Sequence, residues 1–129
     1  MLPILKRAWA LPWTVCGLAI GVLAAASGGH VRRSRGTLAF DGGAARTFLR
    51  FCPVVRGASA MTFGHVILGQ SARDLDLAYE HELVHVRQYE RWGPLFVPAY
   101  LAASAWQWLR GRHPYWDNPF EREAYDAAP

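Results

Sequence analysis

Residues 8–27 read AWALPWTVCGLAIGVLAAAS with no charged side chain; Lys6 and Arg7 precede the run, and Arg32, Arg33 and Arg35 follow it. At about 1.5 Å per residue the run reaches across a hydrocarbon core of about 30 Å, so a single membrane-crossing helix is the first expectation. A cleaved leader is the rival, with Lys6 and Arg7 as its basic start and Ala24, Ala25 and Ala26 as small residues for cleavage. Against cleavage, the apolar stretch exceeds the usual leader length and the arginines beyond it resist translocation. Positive charge is nearly balanced across the run, so the flanks set no orientation, and the cytoplasmic side is the working expectation for the folded part.

After the run, Gly, Ser and Arg dominate, which reads as a basic linker over 29–36 between an anchor at 1–28 and a folded domain at 37–129. Alternation over 37–43 and the β-branched and aromatic content of 60–69 predict two strands, expected to pair as a short antiparallel hairpin. Between them, 44–55 carries helical spacing at Phe48, Leu49 and Cys52 until Pro53 breaks it. Residues 72–92 form the best-defined helix. Ser71 with Asp74 three residues later marks its start, Arg87 and Arg91 occupy its last turns, and Gly93-Pro94 stops it. Leu75, Ala78, Tyr79, Val86 and Tyr89 recur at threes and fours and should pack on the sheet. LFVPAYLAASAWQWL at 95–109 is short for a second span and holds Pro98 and Gln107, so a buried core helix is expected ahead of a re-entrant or membrane-surface element. Asn118-Pro119 starts a last short helix. The fold class is α+β.

Composition narrows the function. In 129 residues, 52% hydrophobic with six Trp, five Tyr and six Phe, there is material for one core and no case for a disordered or collagen-like chain. Cys16 and Cys52 are too few for a disulfide framework or a Cys-rich zinc knuckle. The net charge of +4 and the RRSR stretch come with no nucleic-acid reading motif. Membrane phospholipid accounts for the same arginines, so lipid is the expected partner and nucleic acid is not.

The chemistry concentrates at His81-Glu82-Leu83-Val84-His85. Residues four apart share a helical face, so both imidazoles can converge on one Zn²⁺, while Glu82, rotated about 100° from His81, stands beside the ion, where it can take a proton from bound water. A zinc site normally needs a third protein ligand. Glu121, three residues after the Asn118 cap, is the leading candidate; Glu123, about 200° round the same helix, is the alternative. His30, His65 and His113 are weaker candidates, each readable as an ordinary hydrogen-bonded histidine. The plain alternative for the whole motif is a charged helix with partly buried histidines, and for Glu121 a capping acid.

HELVH followed, 35 intervening residues later, by a helix reading EREA resembles the gluzincin metallopeptidases. With HELVHVRQYERWGPLF and the closing NPFEREAY, the chain is also similar to small bacterial membrane-associated proteins of unassigned function with such a zincin-like core. The resemblance covers the two helices only. It implies that His81, His85 and Glu121 bind Zn²⁺ and that Glu82 is the general base. Tyr125 stands where the family often has an Asp, which removes the support that Asp would lend the first His. The resulting expectation is hydrolysis of a peptide or related amide, with Tyr115, His113 or Tyr125 as eligible oxyanion donors and a free strand edge within 60–69 as a place for extended substrate. The alternative is a membrane-associated structural or interaction protein whose metal mainly stabilises the fold.

Overall fold

The computed structural model describes residues 2–52 and 57–128. The part of the 44–55 helix expectation that falls on 53–55 lies outside them. The fold is α+β, with elements in the order α1 (Leu2–Ala26), β1 (His30–Ser34), β2 (Thr37–Asp41), α2 (Gly43–Arg50), β3 (Ala60–Phe63), β4 (Val66–Gly69), α3 (Ala72–Trp92), α4 (Phe96–Leu109) and α5 (Pro119–Ala127). A single 3-10 turn, Gly93–Leu95, links α3 to α4. α1 is long and apolar enough to cross a membrane.

Four strands form a mixed sheet in the order β1-β2-β4-β3. Three sequence expectations change here. The stretch taken as a linker contains β1, which pairs antiparallel with β2 through a turn at Arg35 and Gly36, both at positive φ as in a type I′ two-residue turn. The stretch at 60–69 is two strands, because Gly64 at φ +61 turns the chain back and β3 pairs antiparallel with β4. The central pair, β2 with β4, is parallel, since α2 intervenes as a crossover.

α3 lies on one face of this sheet. Its Leu75, Leu83 and Val86, with Tyr79, pack on Ala39 of β2 and Ile67 of β4; of the expected face, Ala78 borders a groove instead and Tyr89 packs with Ala10 of α1 and Phe96. Ser71 caps the helix by accepting a hydrogen bond from the Asp74 amide at 3.1 Å, and Gly93 at φ +58 ends it by donating to the Tyr89 carbonyl. The other sheet face meets α2 and α1: Ala24, Phe40, Ala45, Leu49, Val66 and Leu68 form its core. The boundary drawn between anchor and domain therefore does not hold, because one face of α1 is part of the core.

α4 corrects a further expectation. Only Phe96 and Gln107 are buried along it, while Trp106, Trp108 and Leu109 are 59%, 67% and 71% exposed. It is an apolar helix on the surface, not a buried one. α5 is tied to it by Asn118, whose side chain caps Phe120 N at 2.9 Å and donates to Tyr100 O and to Ser104 Oγ.

Candidate metal centre

α3 presents His81 and His85 one turn apart, and α5 brings Glu121 against them. Glu121 Oε1 lies 3.0 Å from Nε2 of each histidine, and the two Nε2 atoms are 3.2 Å apart. All three residues are buried or nearly so. Each of the three atoms is about 1.8 Å from their common centre, within a few tenths of an ångström of a zinc–ligand bond of about 2.0–2.1 Å.

Hydrogen bonding decides which atom of His85 faces that centre with a lone pair. The Gln88 amide nitrogen is committed to two groups that can only accept, Phe120 O at 2.9 Å and Glu123 Oε1 at 2.6 Å. Gln88 Oε1 must then face His85 Nδ1, 2.7 Å away, which makes Nδ1 the donor and leaves Nε2 of the neutral ring unprotonated. An unprotonated nitrogen 3.0 Å from a carboxylate oxygen is repulsive unless a cation stands between them. In the metal-free protein a proton fills that role. Burial works against the charged ring, yet the hydrogen bond it donates to Glu121 and the charges of Glu82 and Glu121 outweigh it and push the His85 pKa up to about 9. Burial likewise opposes ionisation of Glu121, but hydrogen bonds from His81, His85 and Tyr100 bring it down to about 2. The donor set therefore fits a divalent cation, with nitrogen and carboxylate ligands suited to zinc.

Glu82 stands beside the cluster. Its Oε1 accepts from Thr62 Oγ1 of β3 at 2.9 Å, and its Oε2 is 3.9 Å from His81 Nε2. Burial raises its pKa above the usual carboxylate value, against the pull of both histidines and Thr62. The second oxygen of Glu121 is held by the Tyr100 hydroxyl at 2.6 Å. Two spaces meet at this point: an apolar cavity of about 370 Å³ lined by Trp13, Met61, Phe96 and Leu101 among others, and a more open groove between residues 57–60 and Trp116 and Tyr125. His81, Glu82 and Tyr115 line both. β3 is an edge strand of the sheet.

The remaining sequence candidates lie elsewhere. Glu123 points to Gln88 and Arg91, His65 to Glu90 at 2.9 Å, and His30 to Asp41 at 3.5 Å. His113 accepts the Tyr115 and Trp116 amides through Nδ1 and lines neither space at the centre. Tyr125 shares a 2.9 Å hydrogen bond with Tyr115 and lays its ring 4.4 Å from that of His81. Among the described residues His81 Nδ1 is buried without a hydrogen-bond partner. Gln88, Thr62 and Tyr100 were missed. Gln88, at 0% exposed, sits three residues after His85, a spacing that could have marked it; nothing local marks the other two. No protein-family model, curated protein or solved structure matches the chain.

Proposed function

We propose that the protein is a membrane-associated metallohydrolase with a gluzincin-like core, in which His81, His85 and Glu121 hold Zn²⁺ and Glu82 moves the proton during cleavage of a peptide or related amide bond. The observation that carries the reading is the position of Glu82: a buried carboxylate next to the three-residue cluster but outside it, facing a cavity. When bound, the ion supplies an activated water and polarises the substrate carbonyl. Thr62 holds Oε1 of Glu82, which leaves Oε2 to receive the water proton and then deliver it to the leaving amine. Burial raises the pKa of this carboxyl and so favours its taking up a proton. Tyr115, which borders both spaces, is the donor best placed for the developing oxyanion. Extended substrate pairs with the β3 edge, and one of its apolar side chains enters the cavity.

The test is a comparison of wild type with Glu82→Gln in purified protein, reading metal content and cleavage of a mixed peptide pool. Near-stoichiometric zinc in both, with hydrolysis reduced about 10²–10⁴-fold in the variant, supports the reading. Zinc lost from Glu82→Gln overturns the assignment of roles. Zinc in both with no cleavage by either favours the stabilising metal site over the enzyme.

A further inference from the structure

Length and composition suit α1 to crossing a bilayer, but its packing argues for another placement. One side of α1 is seated on the rest of the protein from Trp9 to Ala24. Trp9 and Trp13 donate to Arg91 O and Pro94 O, Ala10 is buried with Tyr89 and Phe96, and Thr14 Oγ1 accepts the His65 amide. A Cβ at Gly17 would lie 2.8 Å from Val66, one at Gly21 would enter the Phe40 ring, and Ala24 is in the core. These contacts extend over about 22 Å of helix, most of the hydrocarbon thickness. The sheet must therefore share whatever depth α1 takes.

β1 makes that sharing decisive. It starts where Gly29 N bonds to Ala24 O, and the turn after it brings Gly36 beside the Arg7 guanidinium, so β1 runs back along α1 from its end nearly to its beginning. An upright α1 would hold Arg32 and Arg33 near the middle of the bilayer, on an edge strand with one row of unpaired backbone groups. Hydrocarbon tolerates neither. The ion pair of Arg32 with Asp76 and that of Arg35 with Glu80 would be carried in as well.

Laid flat, α1 has no such conflict. Its outward face is Ile4, Leu5, Leu11, Val15, Val22 and Leu23, all more than half exposed. α4 adjoins it: Trp13 of α1 and Val97 and Leu101 of α4 line one cavity, and α4 goes on to expose Trp106, Trp108 and Leu109. None of the ten acidic residues lies in either helix, whereas Lys6 and Arg7 lie in α1 and Arg110 and Arg112 follow α4. We infer that α1 and α4 form one lipid-binding face, with α1 in the plane of a single leaflet rich in anionic headgroups and not across the bilayer. An interfacial helix ordinarily has a charged face toward water; here the folded domain covers that side. The inference does not depend on turnover at the metal centre.

The experiment adds the full chain, tagged at both ends, to preformed vesicles of phosphatidylcholine with or without phosphatidylglycerol. Both tags should be open to external protease, binding should fall several-fold without the anionic lipid, and Trp108→Glu with Leu109→Glu should weaken it about tenfold or more. One tag protected by the vesicle overturns the in-plane placement. Absence of lipid binding overturns the face altogether, and unchanged binding by the folded double variant, checked by circular dichroism, removes α4 from it. Equal binding to both vesicle types overturns the headgroup preference.

Discussion

α3 and α4 follow one another with a single turn between them, and they depart from ordinary burial in opposite directions. α3 buries Glu82, His85 and Gln88, while α4 exposes Leu101, Trp106, Trp108 and Leu109. A buried polar group costs free energy unless it is paired, and exposed apolar surface costs it unless something covers it. In α3 the compensation is internal: Thr62, Gln88, Tyr100 and Glu121 pair the buried groups, and one place remains where electron pairs converge. In α4 no part of the described chain covers the exposed side. The first departure is one that a bound cation would relieve, the second one that an apolar phase would cover.

The strongest test of that contrast is His85→Ala beside Glu121→Ala. Metal content measured by elemental analysis should fall from near one per chain to background in both, with membrane association unchanged. Metal retained in either variant would place the cation elsewhere. Next comes Gln88→Leu, which removes the group that sets the His85 tautomer; zinc affinity, read by competition with a chelator, should weaken about 10–100-fold. Unchanged affinity would reduce Gln88 to a tie between α3 and α5.

Proton competition gives the third test. Since the metal-free His85 pKa is raised from 6.5 to about 9, its pairing with Glu121 stabilises the apoprotein fully below pH 6.5 and is lost as pH rises through 9. Glu121, lowered from 4.5 to about 2, contributes above pH 4.5 and is lost as pH falls through 2. The apoprotein should thus gain most from this pair between pH 4.5 and 6.5. Zinc must displace the His85 proton, so its apparent affinity should rise about tenfold per pH unit between 6.5 and 9 and then level off. A flat profile in chelator-buffered titrations would mean that His85 carries no such proton. The smallest effect belongs to α4: Trp108→Ser should change unfolding stability in detergent by no more than about 0.5 kcal/mol. A larger loss would show α4 packed against protein and end the contrast.

Much of α3 and α5 was legible because their signals are local. Ser71, Gly93 and Asn118 sit at the helix ends, and the spacing of His81 and His85 is itself a geometric statement. Helical angle let only one of Glu121 and Glu123 face the cluster, and the packing of α5 on α3 puts Glu121 there. What escaped depends on partners distant in sequence. β1 carries Arg32 and Arg33 and reads as a linker until β2 pairs with it. Gly64 looks like one glycine in a strand, although its positive φ turns the chain. The exposure of α4 follows from how few elements reach it, and no window of sequence records that. Thr62 and Tyr100 join the site only through the arrangement of β3 and α4.

The tryptophans of α1 have a consequence for how the chain is made. Trp13 bonds to Pro94, 81 residues later, so the seat of α1 is not complete until most of the protein has been synthesised. At about 5–20 residues per second, Trp13 waits about 4–16 s for that partner. During that interval Gly21 and Ala24 can already meet Phe40, Ala45 and Leu49, while the Trp9–Trp13 end of the inner face stays bare. On the lipid-face inference, a membrane close to the site of translation would take the outer face of α1 before that end of the inner face is seated.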